Sequence, residues 1–248
     1  MTRSLIAVFR LARLTLHVLR GLWLVAWGFP RLSSSGKAHK VKAWAHDLFQ
    51  LVAIKVEVSG APPLHGSVLL VANHISWLDI VLLLSASHCR FVAKSEIARW
   101  PVLGLLTRAA GTLFIARDSP RDALRVVHHM AEELKAGAVL AVFPEGTTSN
   151  GLRLLPFHAN LFQAAVSAHV AVQPVALRFV DTATGAPSLA PCYIDDDSLL
   201  DSVWRTLTAP PLRAQLHFCQ PQLAEGRDRR AWAADVRSTI EDALRQTH

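Results

Sequence analysis

The sequence predicts an α/β fold, an open mixed sheet flanked by helices, with an N-terminal basic amphipathic helical pair for membrane attachment. From about residue 57, short apolar runs alternate with longer amphipathic segments, which is the pattern of strands and helices that succeed each other along the chain. The chain has 248 residues, of which 51% are hydrophobic, enough for one full core. We predict helices in residues 1–56 and an α/β domain in residues 57–248.

The first predicted element is a helix with a wide apolar side and a basic stripe. At about 100° per residue, the basic side chains share roughly a quarter to a third of the helical circle. They are Arg3, Arg10, Arg13, His17 and Arg20. The longest uncharged run, Gly21–Pro30, is shorter than the roughly 20 residues that cross a bilayer, and no small-residue cleavage site follows it. The pattern favours a helix in the membrane interface over a spanning anchor or a soluble helix.

The alternating pattern begins after the breaker cluster Pro30–Gly36 and a second helix, predicted over Lys37–Val56. The predicted strands are Ser67–Ala72, Cys89–Ala93, Thr112–Ile115, Ala138–Phe143, Val172–Phe179 and Ala214–Cys219. The predicted helices are Trp77–Ser85, Pro101–Ala109, Pro120–Ala136, Phe157–Ala168 and Arg229–Gln246. In open α/β sheets, ligands bind beyond the carboxyl ends of the strands.

The charge of the chain predicts an anionic partner. The formal net charge is +7, which fits nucleic acid, an anionic membrane or a phosphorylated substrate. A nucleic-acid stacking platform requires basic residues interleaved with aromatic side chains. Here the basic residues are scattered and mostly not interleaved in this way, which argues against nucleic acid. Three widely spaced cysteines, Cys89, Cys192 and Cys219, fit neither a disulfide framework nor a zinc motif, which favours a reducing compartment.

A histidine and a carboxylate follow the first predicted strand of the sheet. Asn73 and His74 end the apolar run, and Asp79 comes five residues after His74. A carboxylate beside an imidazole fixes its tautomer and stabilises its positive charge, which makes the pair the base of an acid–base catalyst. Ser76 and Asp79 also match a capping box, which would make Asp79 structural. No serine or cysteine stands out as a nucleophile, so the base would act on a substrate hydroxyl.

Two further segments place polar groups after predicted strands. Gly111–Arg117 ends in an arginine, whose planar guanidinium suits phosphate oxygens; a salt bridge is the alternative. In Phe143–Ser149, Gly146 permits a positive φ and three hydroxyl residues stand beside free amides. Such a loop can bind an anion, or it is an ordinary polar turn. Glu145 would hold Arg117 or a ligand hydroxyl.

A proline, a histidine and an acidic run lie farther along the chain. Pro174, inside the predicted strand Val172–Phe179, indicates a bulge or a sheet edge near the site. His158 and Asn160 are candidate polar lining residues, although an ordinary surface or core histidine is the commoner case. Residues 195–197, three aspartates, fit a solvated loop or helix cap better than a metal site.

Four of these segments, taken in order, resemble the glycerolipid acyltransferase family, most closely its bacterial 1-acylglycerol-3-phosphate acyltransferases. They are Asn73–Asp79, Gly111–Arg117, the Phe-Pro-Glu-Gly-Thr run that begins at Phe143, and the predicted strand that contains Pro174. The resemblance covers about Val68 to Phe179. It implies that His74 is the catalytic base and Asp79 its partner. It implies that Arg117 binds the phosphate of the acyl acceptor and that Pro174 lies near the acyl donor. Acceptor binding is also implied for Glu145, Gly146 and Thr147.

The resemblance implies transfer of a fatty acyl group from acyl-CoA or acyl carrier protein to the sn-2 hydroxyl of 1-acylglycerol-3-phosphate, giving phosphatidic acid. It implies no metal and no cofactor besides the donor. One alternative is an O-acyltransferase for another lysolipid, such as lyso-ornithine lipid. An alternative of another class is a non-catalytic basic protein that binds lipid or nucleic acid.

The resemblance also implies an anionic membrane surface as partner, rather than nucleic acid, and a peripheral or monotopic position on the cytoplasmic face of the inner membrane. The sequence departs from the family at one point. After Pro156-Phe157, many relatives carry a basic residue and a glycine, whereas this chain has His158 and Ala159. The departure bears on the acceptor head group more than on the reaction type.

Overall fold

The computed structural model describes residues 3–63, 66–115, 120–194 and 196–246. Within these ranges the predicted α/β fold is confirmed, with seven strands in one sheet flanked by helices. The α-helices are α1 (Arg3–Trp23), α2 (Ser34–Leu51), α3 (Leu78–Ala86), α4 (Leu103–Ala109), α5 (Pro120–Lys135), α6 (Phe162–Ala168), α7 (Leu199–Thr208) and α8 (Arg229–Gln246). The strands are β1 (Ile54–Gly60), β2 (Val68–Ala72), β3 (Arg90–Lys94), β4 (Leu113–Ile115), β5 (Val139–Val142), β6 (Ala171–Asp181) and β7 (Leu212–Phe218).

The sheet is mixed, with the strand order β1-β7-β6-β2-β5-β3-β4. Only β6 and β7 pair antiparallel; the other neighbours among the described strands run parallel. The strand β2 lies in the middle, between β5 and β6. Because parallel strands end at the same edge of a sheet, the carboxyl ends of β2, β4 and β5 lie at one edge, where ligands of such sheets bind.

Two apolar layers cover the two faces of the sheet. Successive side chains of a strand point to opposite faces, and β2 shows this in its packing. Leu70 and Ala72 pack with buried residues of α1, α2 and α3. Leu69 and Val71 pack with α5, α6 and α8. A central strand buried on both faces is rigid at its end, so the loop after β2 starts from a fixed position.

The helix α1 packs on the domain through four buried residues on one side. Its buried residues are Ala7, Leu14, His17 and Gly21. The His17 ring stacks on Trp44 of α2 at 4.8 Å between ring centroids, and a Cβ on Gly21 would lie 2.7 Å from Trp44 Nε1. The predicted stripe of five basic residues is therefore wrong for His17, because helix packing buries its ring; this burial is the main cause of its lowered pKa.

No helix of the described ranges has the length and apolar character needed to span a bilayer. The remaining differences from the sequence predictions concern element boundaries and two elements that were not predicted. The helix α2 ends at Leu51 rather than Val56, because Ala53 adopts a positive φ of 56° and β1 begins at Ile54. The strand β1 was not predicted, although its apolar and polar residues alternate as is typical of a strand. The helix α7, capped by Ser198, was also missed.

Candidate active site

The loop between β2 and α3 brings the predicted base and its carboxylate into contact. His74 Nδ1 lies 2.8 Å from Asp79 Oδ2. The Asp79 side chain is fully buried, whereas 18% of the His74 side chain is exposed. Because an ionised carboxylate only accepts hydrogen bonds, Nδ1 carries the proton and Nε2 keeps its lone pair. No group in the described part of the chain bonds to Nε2, which leaves it available to a ligand hydroxyl.

Asp79 also performs the capping role that the sequence indicated. Its Oδ2 accepts hydrogen bonds from the backbone N–H groups of Ile75 at 2.6 Å and Ser76 at 2.8 Å, and Ser76 Oγ accepts from Leu78 N at 3.2 Å. One carboxylate oxygen therefore fixes the loop backbone and the imidazole together. The capping and catalytic interpretations of Asp79 are compatible in this geometry.

Aromatic stacking fixes the plane of the imidazole. The His74 ring lies on Phe143, which follows β5, with 3.9 Å between ring centroids and 8° between planes. Phe91 of β3 continues the stack at 5.7 Å from Phe143. Sequence reasoning assigned no role to either phenylalanine. The only available signal was that Phe143 ends a strand predicted to share the sheet edge with His74.

Asn73 was likewise given no role, and the structure shows that it extends the pairing of β2 with β6. Its Nδ2 donates to the carbonyl of Leu177 and its Oδ1 accepts from Leu177 N, both at 2.9 Å. A buried amide side chain thus replaces the backbone pairing where β2 turns away. This contact holds the residue before His74 against a central strand.

Glu145 clamps the two loops that form the site. Its Oε1 accepts from His74 N at 2.8 Å and its Oε2 accepts from Leu155 N at 2.9 Å. Only 4% of the residue is exposed. Burial raises the pKa of the Glu145 carboxyl, and the two backbone hydrogen bonds lower it in part. In this geometry Glu145 is a positioning residue for His74, and its binding of the acceptor stays a prediction.

The loop after Glu145 is fixed by internal hydrogen bonds. Gly146 has a positive φ of 73°, a conformation that favours glycine. A Cβ there would lie 2.8 Å from Nε2, at the far end of the exposed His158 side chain. Ser149 N donates to the carbonyl of His74 at 2.9 Å, and the Thr148 hydroxyl donates to the carbonyl of Tyr193. Thr147 is exposed beside them, which leaves its hydroxyl open to solvent.

Two further residues were predicted to bind substrate, Arg117 and Pro174. Arg117 falls outside the described residues, two positions after the end of β4. Pro174 lies in β6 opposite Val71, so it is in an interior strand and the edge alternative is wrong. The antiparallel register shifts by one residue there, from Val172↔Gln222 to Val175↔Phe218, which agrees with the bulge alternative.

The described residues contain no group of three or more histidines, cysteines, aspartates or glutamates that could hold a metal ion. In the acidic run, Asp195 is outside the described residues and Asp197 forms an ion pair with Arg205 at 2.7 Å. Hydrogen bonding to Arg205 lowers the pKa of Asp197 to about 2.

His158 is exposed, with its backbone N–H bonded to the carbonyl of Pro144.

Comparison with known proteins assigns this geometry to a family. A family model described as Acyltransferase matches residues 54–178, a segment that contains His74, Asp79 and Glu145. The chain belongs to the acyltransferase family. The resemblance found in the sequence is thereby confirmed, and this acyltransferase is an enzyme of the acyl-transferring class.

Relatives of the acyltransferase extend the match beyond the family model. It is 36% identical over 243 residues to a lyso-ornithine lipid O-acyltransferase of Pseudomonas aeruginosa, covering 96% of this chain and 93% of the relative. It is 41% identical over 194 residues to a 1-acyl-sn-glycerol-3-phosphate acyltransferase of Neisseria gonorrhoeae, covering 77% of this chain and 74% of the relative. Both similarities are longer than the segment that the family model matches, residues 54–178.

A solved structure shares the fold of the acyltransferase. The crystal structure of the 1-acyl-sn-glycerophosphate (LPA) acyltransferase PlsC from Thermotoga maritima superposes with a TM-score of 0.66 at 22% identity. The match covers 95% of this chain and 98% of the other. It includes the N-terminal helices as well as the sheet.

Replacing Glu145 with glutamine is expected to lower both turnover and stability. An amide offers one acceptor oxygen, and its NH2 group would face a backbone N–H, so one buried donor loses its partner at about 1–3 kcal/mol. A displacement of His74 by about 1 Å is enough for about a 10²-fold loss of rate. Enzyme assay and urea unfolding measure the two effects.

The pH dependence of stability gives a second test of this carboxyl. A raised pKa in the folded state contributes stability that is present below the ordinary pKa of 4.5 and is lost as the pH rises through the raised value. The free energy of unfolding of the wild type, relative to Glu145→Gln, is expected to fall as the pH rises above 4.5. A difference that grows with pH would contradict this account of Glu145.

Proposed function

We propose that this acyltransferase moves a fatty acyl group from acyl-CoA or acyl carrier protein to the free sn-2 hydroxyl of 1-acylglycerol-3-phosphate, giving phosphatidic acid. The observation that carries the proposal is His74, held by Asp79 through Nδ1 and open at Nε2. Nε2 takes the proton of the hydroxyl as its oxygen attacks the thioester carbonyl. The thiolate leaves and takes the proton back from the imidazolium, so no acyl-enzyme forms.

The proposed reaction depends on positioning as much as on the base. General-base assistance contributes about 10²–10⁴-fold, whereas holding two substrates together supplies several kcal/mol more. The acceptor phosphate is proposed to bind Arg117, Gly146 and Thr147, with Thr147 exposed at the sheet edge near His74. No proposed step needs a metal ion or a further cofactor.

A lyso-ornithine lipid is the second candidate acceptor, and two observations favour it. The alignment with the lyso-ornithine lipid O-acyltransferase covers 96% of this chain, whereas the alignment with the 1-acyl-sn-glycerol-3-phosphate acyltransferase covers 77%. His158 also stands against Gly146, with its Nε2 2.8 Å from the position of a Cβ there. An imidazole at this loop replaces the basic side chain of many family members, which changes the head group contacts.

A panel of acceptors tests the proposed function. The purified chain is incubated with palmitoyl-CoA and either 1-acylglycerol-3-phosphate, lyso-ornithine lipid or no acceptor, while free thiol release is followed. We expect release that depends on the acceptor, with the highest kcat/KM for 1-acylglycerol-3-phosphate. A preference for lyso-ornithine lipid would select the second candidate. Thiol release without any acceptor would indicate a hydrolase. If no thiol is released with any acceptor, and the protein retards DNA in a gel, the chain is a non-catalytic binding protein.

An exposed apolar face supports membrane docking. Ten large apolar side chains on α1, the turn after it and the start of α4 are exposed to solvent. They are Leu5, Val8, Phe9, Leu16, Leu19, Trp23, Trp27, Trp100, Val102 and Leu105. The helix α1 and the following turn both contact α4, so these exposed side chains lie on neighbouring elements. Apolar patches of this kind mark contact with lipid or protein.

The charges around the apolar face favour an anionic bilayer as its occupant. Residues 1–46 contain eight lysines and arginines and no aspartate or glutamate, and each basic side chain near such a surface contributes about 1 kcal/mol. Trp100 follows the helical turn at the carboxyl end of β3, the sheet edge that carries His74. The bilayer would therefore present lysolipid at the catalytic edge.

Replacing Leu16 and Leu19 together with serine is expected to release the protein from vesicles that contain phosphatidylglycerol. Both residues are more than half exposed, at 67% and 54%, so the fold should be unaffected while about 1.5–3 kcal/mol of burial per side chain is lost. Cosedimentation with vesicles measures binding. Leu200→Ser, at a residue 76% exposed on α7, is the matched control. Unchanged sedimentation of the double variant would place the docking surface elsewhere.

A further inference from the structure

A second concave site lies beside the catalytic loop, on the β6 side of β2 and away from the Phe143 stack. It has a volume of about 460 Å³. Four segments form its wall: the loop after β2 at Ile75, residues 150–154, the end of β6 with residues 187 and 188, and the second half of α8. We call it the arginine cavity.

The arginine cavity carries an excess of positive charge. Its charged lining residues are Arg153, Arg178, Arg237, Arg245 and Glu241. Two of the four guanidinium groups are paired with carboxylates: Arg237 with Glu241 at 2.7 Å, and Arg245 with Asp242, just outside the lining, at 3.2 Å. The guanidinium groups still outnumber these carboxylates, and a positive concave site concentrates anions. Planar guanidinium groups bind phosphate oxygens through paired hydrogen bonds.

Two of these arginines are held in place by the surrounding structure. Arg237 donates to the carbonyls of Leu154 at 2.8 Å and Leu155 at 3.2 Å and pairs with Glu241 at 2.7 Å. Arg178 donates to Gln215 Oε1 at 2.7 Å. Side chains fixed in this way lose little further freedom when an anion binds.

Arg153 supplies a charge that the described residues leave unbalanced. It is exposed on the loop after Ser149, and it has no acidic partner in the described part of the chain. Burial and the neighbouring Arg213 lower the pKa of the Arg178 guanidinium.

The cavity is continuous with the catalytic loop. Ile75, in its wall, directly follows His74, and a Cβ on Gly151 would lie 2.8 Å from Ile75 Cδ1. Ser149, which donates to the carbonyl of His74, directly precedes the lining residue Asn150. The wall also contains apolar side chains, among them Leu152 and Phe179. A ligand with phosphates and an apolar part fits this combination, beside the loop that carries His74.

We infer that the arginine cavity binds the phosphate groups of the acyl donor, and that the donor is a nucleotide thioester of the coenzyme A type. The inference rests on the proposed acyl transfer, which needs a donor site separate from the acceptor site near Arg117. A cavity of this size is typical of small-molecule sites. An acyl carrier protein would instead present its phosphate from a broad protein surface.

Calorimetry with coenzyme A and the full-length chain, without acceptor, tests the inference. Arg153→Glu and Arg245→Glu reverse exposed charges at the cavity, and Arg230→Glu makes the same change at the far end of α8, outside the lining. Each cavity variant is expected to weaken coenzyme A binding about tenfold or more, because a charge-assisted phosphate contact is lost. The control is expected to match the wild type.

Further ligands separate the possible sources of phosphate. The same variants are titrated with inorganic phosphate and with phosphatidylglycerol vesicles, and KM is measured for acyl-CoA and acyl carrier protein thioesters. We expect KM for acyl-CoA to rise about tenfold in both cavity variants while KM for the acceptor stays unchanged.

Several results would overturn the inference. One is that the wild type does not bind coenzyme A, or that all variants bind it equally well. Another is that the cavity variants lose only vesicle binding or only the use of acyl carrier protein thioesters. Because binding is measured without turnover, failure of the proposed function is a separate outcome. A wild type that binds coenzyme A through these arginines and transfers no acyl group would keep the donor site and refute the acyl transfer.

Discussion

Replacing His74 with alanine is expected to lower kcat by about 10²–10⁴-fold, the usual contribution of a general base, while the protein stays folded. The imidazole is partly exposed and makes one buried hydrogen bond, to Asp79. Asp79 keeps its two backbone donors, Ile75 and Ser76, when the ring is removed. Thiol release under saturating donor and acceptor measures kcat, and circular dichroism with thermal unfolding measures the fold.

The matched control is His129→Ala, at a histidine whose side chain is 55% exposed on α5 and far along the chain from the site. It is expected to leave kcat and the melting temperature unchanged. If His74→Ala turns over at a rate near that of the wild type, His74 is not the base and the proposed mechanism is wrong.

Replacing Asp79 with asparagine is expected to lower kcat by as much as about 10⁴-fold, the loss seen when the orienting carboxylate of a catalytic histidine is neutralised. An amide oxygen in the place of Oδ2 keeps the hydrogen bonds from Ile75 and Ser76 but loses the negative charge that stabilises the imidazolium. Asp79→Ala is expected to cost stability as well, because two buried N–H groups lose their partner at about 1–3 kcal/mol each.

The chain offers a matched control for the capping role of Asp79. Ser198 and Asp201 form the same Ser-x-x-Asp pattern at the start of α7, where Ser198 Oγ accepts from Asp201 N at 3.1 Å. Asp201→Asn is expected to change stability slightly and kcat not at all. Should Asp79→Asn behave like Asp201→Asn, losing stability but keeping its turnover, then Asp79 is only a helix cap.

The contact between His74 and Asp79 could be predicted because it is local. Five residues separate them across a strand end and the first turn of a helix, and a capping aspartate must turn back toward that strand end. Gly146 was predictable for the same reason, since a turn after a strand needs a positive φ. Six of the seven strands were found from apolar runs bounded by turn residues.

Contacts between distant segments could not be predicted from the sequence. Glu145 binds the backbone N–H of His74, 71 residues away in the chain, and this depends on β5 lying beside β2. The stack of His74 on Phe143 has the same origin. The arginine cavity draws on four separated segments, and His17 is buried only because α2 brings Trp44 to it. Strand order or helix packing sets each of these contacts, and apolar periodicity encodes neither.

The most direct test of the central claim is whether acyl groups ever become bound to the protein. Wild-type enzyme is mixed with radiolabelled palmitoyl-CoA without acceptor, quenched in acid and separated from lipid; the reaction is then repeated with acceptor. If His74 acts as a base on the acceptor hydroxyl, label appears only in the lipid product and only when acceptor is present. Label retained on the wild-type protein but not on His74→Ala would show that the imidazole is the nucleophile instead.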